Sequence, residues 1–436
     1  MEDDGALYHA VANNELETVR SLIAEGRDID QFYYDYQGIS TKSLLHVACE
    51  KGRQECVKIL LDAGAMVGIR DKWGQTPLMY CMQAQWYEIA EILLEYCPEH
   101  VNARDKYLKS ALHCAVESGC EESVLLLLRC GADVGAQTSN GSTPLMTLCS
   151  TPDVEAPGPI MKLLLNAGSV VDKKDYHGKR TALQLAALSK NPSLVETLIG
   201  TGADVNTIDI TGRTPLTNIM LENIRVRDGR CEPEAEVMMI IAMLIQSGAD
   251  VNITACEYSN PLVVSTFLTA DPLVRFFIDN GADPNLSFPS GISPLLVATT
   301  KKDPTVVKTL LYHNADMCKR GRISKRRQEY IYNSFELAVD IGCFALARLY
   351  TEMGYNVSQH EYLRNSDSQL ELPESLQEDK DMLAWLRERA NRPIPLMKAC
   401  IFRIRHIFGT KIESCVGSLT LPDQIKDMVL MKDLLS

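Results

Sequence analysis

The chain has 436 residues, of which 46% are hydrophobic and 23% are charged, and its formal net charge at pH 7 is -13. This length permits two or three domains, and the composition is that of a folded chain rather than a disordered one. The acidic balance argues against a protein that coats nucleic acid, although a local basic patch could still bind an anion.

The N-terminal sequence MEDDGALYHA does not have the layout of a signal peptide, and no run of about 18 apolar residues is present. We therefore expect the protein to act inside the cell, in the cytoplasm. The 14 cysteines are scattered without a C-x-x-C pair. We interpret them as small core residues, with Cys56, Cys81 and Cys149 as examples.

One short phrase recurs along most of the chain, and Ser43 and Thr76, which begin two of its copies, are 33 residues apart. Each copy is followed by a second apolar segment that ends at a glycine, such as SVLLLLRCGA. This pattern predicts two helices and a turn per repeat. The copies are SLLHVA from Ser43, TPLMYC from Thr76, SALHCA from Ser110, TPLMTL from Thr143, TALQLA from Thr181, TPLTNI from Thr214, NPLVVS from Asn260 and SPLLVA from Ser293, with fainter ones at Gly5 and Asn333.

The repeat resembles the ankyrin repeat, whose T-P-L-H-x-A and G-A-D-V-N phrases are matched over about residues 1–358. A unit of about 33 residues cannot bury two apolar helix faces alone, so neighbouring units must stack. The resemblance implies an all-α solenoid of about ten repeats with short finger turns. Partners of such proteins bind in the groove that the fingers and the first helices line.

Where the spacing between two copies of the phrase exceeds 33 residues, the repeat contains an insertion. The segments QFYYDYQGIS and CKRGRISKRRQEYIYN lengthen the first and last fingers, which we expect at opposite ends of the groove side. The segments STPDVEAPGP and NIRVRDGRCEPEAE lengthen links between the two helices of a repeat, away from the groove.

The chain has no G-x-x-x-x-G-K-[ST], G-x-G-x-x-G, H-E-x-x-H or G-x-S-x-G motif. We expect a non-catalytic protein that uses no metal and no cofactor. His46 and His113 occupy the place where ankyrin repeats carry a structural, hydrogen-bonded histidine.

A basic run, KRGRISKRR from Lys319 to Arg327, stands out in the acidic chain. Three interpretations remain open. The run is a solvated loop, a surface for an acidic partner, or a nuclear-import signal, in which case the protein also enters the nucleus.

After about residue 358 the period stops. Residues 359–391 are predicted to form an acidic connector that ends in a helix around Asp379 to Ala390. The following segment, PLMKACIFRI, places Leu396, Cys400 and Ile404 at i, i+4 and i+8 of a helix that begins with Pro395.

The sequence SLTLPDQIKDMVLMKDLL follows some 15 residues later. A P-L-x-x-x-C-x-x-x-I box followed by an L-x-L-P-x-x-I-K-D box resembles a SOCS box, here residues 392–436. The chain as a whole then resembles the ankyrin-repeat and SOCS-box family, whose members are substrate receptors of ubiquitin ligases.

In that family the first box binds elongin C, which pairs with elongin B, and the second contacts cullin five with its RING partner. The resemblance assigns Leu396, Cys400 and Ile404 to elongin C. It assigns Leu421, Pro422 and Ile425 to the cullin. Thr420 stands where the family usually has a proline, so the choice of cullin stays open. The alternatives are a helix pair that caps the repeats, and an ankyrin scaffold that recruits no ligase.

The substrate face is predicted at the finger turns, whose D-x-x-G positions carry Trp73, Tyr107 and Tyr176. Aromatic side chains at such tips are good interface anchors, although tyrosine is also an ordinary ankyrin residue there. Tyr33, Tyr34 and Tyr36 lie in the lengthened first finger, and Arg326 and Arg327 in the last one, where they would attract an acidic substrate.

Overall fold

The computed structural model describes residues 5–34, 41–152, 154–224, 226–227, 230–231, 233–256, 259–286, 288, 290–325, 328–364, 372–392 and 426. The chain divides into two compact units, Met1–Thr211 and Gly212–Ser436, which are described separately. Helices predominate in the described residues of both units, and the strands are short.

Unit one contains consecutive helix pairs, as the repeat predicts. They are α1 (Ala6–Asn13), α2 (Leu16–Ala24), α3 (Leu44–Glu50), α4 (Gln54–Asp62), α5 (Pro77–Gln83), α6 (Tyr87–Tyr96), α7 (Ala111–Ser118), α8 (Glu121–Arg129), α9 (Pro144–Ser150), α10 (Pro157–Asn166), α11 (Ala182–Leu188) and α12 (Pro192–Gly200).

The recurring phrase explains where the first helix of each pair begins. Thr143 caps α9, its hydroxyl oxygen accepting the N–H of Met146 at 3.3 Å, and Pro144 takes the first helical position, where no N–H is needed. The second helix ends at a glycine. Gly64, with φ +90°, allows Ala65 N–H to donate to the carbonyl of Leu60 at 2.9 Å, which closes α4.

The core of unit one lies between successive repeats. The first helices α3, α5, α7, α9 and α11 pack against one another in sequence, and the second helices α4, α6, α8, α10 and α12 do the same. Fully buried Leu45, Met79 and Leu112 occupy this core. The stacking buries apolar faces that a single helix pair would expose, which is why the repeat is stable only with neighbours.

The lengthened first finger forms a short hairpin, β1 (Phe32–Tyr34) and β2 (Thr41–Ser43), with Tyr33 opposite Lys42. The link STPDVEAPGP lies between α9 and α10, as predicted. In this unit the sequence therefore indicates correctly which insertion extends a finger and which extends a helix link.

Unit two continues the same pattern. The helices in its described residues are α13 (Pro215–Asn223), α14 (Ala235–Gln246), α15 (Pro261–Phe267), α16 (Asp271–Asp279), α17 (Pro294–Lys301), α18 (Pro304–Tyr312), α19 (Ser334–Asp340), α20 (Phe344–Glu352), α21 (Glu361–Arg364), α22 (Glu374–Glu378) and α23 (Lys380–Ala390). Helices α13, α15, α17 and α19 pack in sequence.

Two insertions in unit two form hairpins. The helix link between α13 and α14 carries β3 (Val226–Arg227) and β4 (Arg230–Cys231). The last finger carries β5 (Gly321–Lys325) and β6 (Gln328–Tyr332), paired antiparallel from Gly321 opposite Tyr332. These hairpins lie in the finger and in the link to which the sequence assigns the extra residues.

The described residues of the segment predicted as an acidic connector are largely helical and pack on the last repeat. Asp379 caps α23, its carboxylate accepting the N–H of Met382 at 2.8 Å, so the predicted helix is present. Helix α22 contacts α19, and Leu376 and Leu386 are fully buried. These contacts cover an end of the repeat stack that would otherwise expose apolar surface.

The cysteines follow the prediction in part. Cys56, Cys81 and Cys149 are buried, whereas Cys130 and Cys318 are exposed, so these two are not core residues. No disulfide links any cysteines in the described residues. None of the helices in that part of the chain combines the length and hydrophobicity needed to cross a membrane.

Candidate functional site

In the finger that carries Trp73, an aspartate side chain accepts the backbone N–H groups of the turn. The Asp71 carboxylate accepts the N–H of Trp73 at 2.8 Å and that of Gln75 at 2.7 Å, and Gly74, with φ +79°, closes the turn. Tyr80 OH donates to the other carboxylate oxygen at 3.0 Å. The buried aspartate therefore fixes the turn, and the side chain of Trp73 is left exposed.

The next finger repeats this arrangement with one departure. The Asp105 carboxylate accepts the N–H groups of Tyr107 and Lys109, both at 2.8 Å. Leu108 stands where the preceding finger has Gly74 and adopts φ +58°, in the left-handed region that leucine rarely enters. The turn keeps its shape at the expense of local backbone strain.

Successive turns are joined by backbone hydrogen bonds. We call residues 71–74, 105–108, 138–141, 175–178 and 209–211 the fingertip row. Because each turn donates to the carbonyl of the one before it, the row is a continuous surface. The bonds are Lys106 N to Trp73 O at 2.9 Å, Ser139 N to Tyr107 O at 2.7 Å, Tyr176 N to Asn140 O at 2.9 Å and Ile210 N to Gly178 O at 2.8 Å.

The three aromatic residues predicted at the turns all lie on this row. The rings of Trp73 and Tyr107 stack with centroids 6.4 Å apart and planes 23° apart, yet the residues are 43% and 57% exposed. Tyr176 is 52% exposed, and its hydroxyl donates to Gln137 Oε1 at 3.1 Å. Large rings held in place but open to solvent are suited to burial against a partner.

Sequence reasoning missed two apolar residues of the same row. Leu108 is exposed beside Tyr107, and Ile210 is 67% exposed at the next turn along from Tyr176. The phrase DITG places Ile210 in a D-x-x-G turn, so the sequence does indicate that this residue lies at a finger tip. A criterion based on aromatic residues does not include an isoleucine. With these residues the row is an apolar as well as an aromatic surface.

The lengthened first finger is placed differently. The ring of Tyr33 lies against that of Tyr8, with centroids 5.4 Å apart, so it packs within the first repeat. The Tyr34 side chain and Tyr36 lie outside the described residues.

The predicted residues of the C-terminal boxes and of the last hairpin tip also lie outside the described residues. They are Leu396, Cys400, Ile404, Leu421, Pro422, Ile425, Arg326 and Arg327.

Part of the basic run is used within unit two. Lys319 Nζ donates to the carbonyl of Asn285, and Arg320 forms an ion pair with Glu336 at 2.5 Å. Arg322 is exposed on β5. Two of the six positive charges in the run therefore already have partners within unit two, and they are less available to bind another molecule.

His46 and His113 act as structural groups. His46 Nδ1 lies 2.8 Å from the Ser43 hydroxyl, and its Nε2 lies 3.0 Å from the carbonyl of Gln75. His113 makes the same two contacts, with Ser110 and Ser142. Burial lowers the pKa of both imidazoles, so the native fold favours their neutral form.

One cluster of metal-ligand type occurs among the described residues. The donor atoms of Cys97, Glu99 and His100 lie within 4.8 Å of one another on a 3₁₀ turn after α6. Burial and the adjacent Glu99 charge raise the pKa of the Cys97 thiol, which disfavours the thiolate that a metal requires. Glu99 is exposed, and the cluster is too open for us to assign it a metal.

A cavity of about 680 Å³ lies in unit two between β6, α19 and the start of α22. The Arg320–Glu336 ion pair is part of its lining, and burial together with the Asp340 charge raises the pKa of Tyr332 to about 12. Its main polar groups already bind one another, so the cavity offers few groups to a ligand.

Comparison with known proteins agrees with this geometry. Residues 2–71, 45–138 and 112–209 match the family model described as ankyrin repeats in three copies. Together with the helix pairs and finger turns, this match establishes that the chain contains ankyrin repeats and has a predominantly helical ankyrin-repeat fold.

Several curated proteins are similar to this chain. The human Ankyrin repeat and SOCS box protein 16 is 31% identical over 247 residues, which are 55% of this chain and 51% of that protein. The mouse B-cell lymphoma 3 protein homolog is 28% identical over 219 residues, 49% of this chain and 48% of that protein. The chain thus spans about half the length of these relatives.

Among solved structures, the chain is similar to that described as the crystal structure of human ASB11 ankyrin repeat domain. The sequence identity is 25% and the TM-score is 0.44, over 55% of this chain and 96% of that one.

Proposed function

We propose that the protein is a non-catalytic substrate receptor of a ubiquitin ligase. Its ankyrin fingers hold a protein substrate, and residues 392–436 bind elongin C with elongin B, and cullin five with its RING partner. The observation that carries the proposal is the exposed stack of Trp73 and Tyr107 on the fingertip row.

The stack supports a protein substrate because the two rings are ordered before anything binds them. An aromatic side chain with a fixed orientation buries a large area and loses few rotamers on association. Leu108 and Ile210 extend this surface with apolar side chains. A row of backbone-linked turns bearing such groups is suited to an extended segment of another polypeptide.

The ligase part of the proposal is supported by the C-terminal sequence and by a relative. Leu396, Cys400 and Ile404 have the spacing of one helical face, and Pro422 opens a second box. One of the similar proteins carries a SOCS box in its name. In this role the chain contributes proximity, because it raises the concentration of substrate near the ubiquitin carrier and needs no nucleophile of its own.

Co-purification with elongins B and C tests the ligase part. We expect Leu396→Ala with Cys400→Ala to abolish the association, since a truncated interface anchor costs about 2 to 4 kcal/mol. Lys398→Ala is the matched control, because Lys398 falls outside the predicted apolar face of the same helix. Undiminished association of the double variant would contradict the proposal and favour an ankyrin scaffold that recruits no ligase.

The second box is tested separately. Replacing Leu421 and Pro422 by alanine is expected to leave the elongins bound and to reduce recruitment of cullin five. Loss of both associations together would show instead that the variant tail does not fold.

A further inference from the structure

A group of successive fingers in unit one is basic, although the chain as a whole has a formal charge of -13. Four successive fingers, residues 68–76, 102–110, 135–143 and 172–181, carry nine lysines and arginines and four aspartates. The positive charge is therefore concentrated in the elements that form the aromatic fingertip row.

All four of these aspartates accept backbone N–H groups. Asp71, Asp105 and Asp175 accept N–H groups within their own turns, and the carboxylate of Asp172 accepts the N–H of Asp204 at 3.1 Å. Asp71 and Asp105 are also buried. Two of the four negative charges thus lie inside the fingers, whereas five of the nine positive charges are exposed and the other four are half-buried.

Five of the basic residues have a structural contact of their own. Arg104 pairs with Asp133 at 3.7 Å, and Lys109 pairs with Glu117. Lys174 donates to the carbonyl of Ile208 at 3.0 Å, and Arg70 to that of Arg104 at 2.5 Å. Arg180 is only partly exposed and packs over Gly178.

The other four are lysines without a carboxylate partner. No ion pair joins Lys72, Lys106, Lys173 or Lys179 to a carboxylate in the described part of the chain. Lys72 lies over the Trp73 ring, 5.2 Å from its centroid, and Lys106 precedes Tyr107. Uncompensated cations thus alternate with the exposed rings.

We propose that this surface binds an acidic polypeptide segment whose carboxylates alternate with apolar side chains. The lysines attract and orient the segment, and the rings with Leu108 and Ile210 bury its apolar residues. This inference rests on the proposed function, in which the fingers hold a protein substrate, and it specifies the chemistry of that substrate.

A nucleic acid fits the surface less well. Bidentate arginine contacts, which give phosphate recognition its geometric specificity, are not available from Arg70 and Arg104, because both donate to carbonyl groups of the fingers. The net charge of -13 also repels a polyanion that extends beyond the fingers. Exposed Leu108 and Ile210 have no role against phosphates but fit apolar side chains.

The test measures fluorescence anisotropy with the full chain and a labelled 16-residue peptide, four copies of Glu-Leu-Asp-Phe. Control probes are the peptide with Gln and Asn in place of Glu and Asp, and a 20-nucleotide oligothymidylate. We expect the acidic peptide to bind at least tenfold more tightly than the neutral one at 50 mM salt, with the difference shrinking at 300 mM salt.

Charge reversal of Lys72, Lys106 and Lys179 to glutamate is expected to weaken acidic-peptide binding at least tenfold. Reversal of Lys51, Arg129 and Lys162, exposed residues of unit one outside the fingers, is the matched control and is expected to leave it unchanged. The corresponding glutamine variants, which disturb folding less, are expected to give an intermediate loss, and thermal unfolding checks each variant.

Equal binding of the neutral peptide, or equal effects of the two charge reversals, would overturn the inference. Tighter binding of the oligothymidylate would overturn the assignment to a polypeptide. Elongin co-purification of the same variants separates this inference from the ligase proposal. Failure of the wild-type chain to bind the elongins contradicts only the ligase, whereas loss of selectivity for the acidic peptide contradicts only the substrate chemistry.

Discussion

Trp73 and Tyr107 belong to successive fingers, yet their rings stack with centroids 6.4 Å apart and the backbone carbonyl of Trp73 accepts the N–H of Lys106. The backbone bond sets the distance between the turns, and the stack then fixes the orientation of both rings. The pair is therefore a preformed element of the surface rather than two independent side chains.

We predict that the two rings are energetically coupled. In a double-mutant cycle of Trp73→Ala and Tyr107→Ala, urea unfolding followed by circular dichroism should give a coupling of about 0.5 kcal/mol, at the low end for aromatic pairs because both rings are exposed. Trp73→Ala with Tyr96→Ala is the control, since Tyr96 is exposed on α6 and away from the fingers. A coupling no larger than in this control would mean that the rings do not hold each other.

Gly141 and Gly168 separate two reasons why a position requires glycine: the backbone conformation and the lack of space for a side chain. Both have positive φ, +83° and +91°, but a Cβ at Gly141 would lie 2.5 Å from the backbone nitrogen of Tyr176, whereas one at Gly168 meets nothing within 4 Å. We predict that Gly168→Ala lowers the free energy of unfolding by about 1 kcal/mol through backbone strain alone.

Gly141→Ala should lower that free energy by about 1 to 3 kcal/mol more, because the turn bearing Tyr176 must also move. It should also weaken binding at the fingertip row, which Gly168→Ala should leave intact. Equal destabilisation by the two substitutions would contradict the close packing of these turns.

The buried histidines make stability depend on pH. Burial lowers the pKa of His46 and His113, so below about pH 6.5 the unfolded chain binds more protons than the native one. As far as these histidines determine it, the free energy of unfolding should therefore be highest above about pH 7.5 and should decrease as the pH falls through 6.5. The chain offers a neutral substitute, because Gln184 holds the corresponding capping position in another repeat. Its Oε1 accepts the N–H of Thr181 at 3.0 Å, as His46 Nδ1 accepts that of Ser43 at 3.3 Å.

We predict that His46→Gln with His113→Gln flattens this pH dependence between pH 7.5 and 5.5 in thermal or urea unfolding. His360, whose pKa burial also lowers, supplies a common background in both proteins. His177→Gln, at an exposed finger position, is the control. A double variant that loses stability with the wild-type slope would show that these histidines do not set the acid sensitivity.

Much of the fold could be predicted because the signals are local. A Thr-Pro pair begins a helix through its hydroxyl cap and its missing N–H, and a glycine ends one through its positive φ, so Thr143 and Gly64 mark helix ends in the sequence itself. Asp379, which caps α23, likewise marks the start of a helix in the sequence.

The candidate surface could be predicted only in part, because it arises from residues far apart in sequence. The finger turns identify Trp73 and Tyr107 as exposed, but their stacking depends on the hydrogen bond between the fingers. The charge pattern is hidden for a similar reason. In the sequence the adjacent charges of Asp71 and Lys72 sum to zero. In the structure the Asp71 carboxylate is buried in the turn, whereas the Lys72 side chain is partly exposed.

The measurement that tests the central proposal most directly is quantitative proximity labelling in cells, with and without proteasome inhibition. Three forms of the full chain are compared: the wild type, Trp73→Ala with Tyr107→Ala, and Leu396→Ala with Cys400→Ala. We predict at least one labelled protein that is lost from the fingertip variant, is retained by the tail variant, and rises in the wild type when the proteasome is inhibited. If every labelled protein is retained by the fingertip variant, or if none responds to proteasome inhibition, a substrate receptor that binds through its fingers is contradicted.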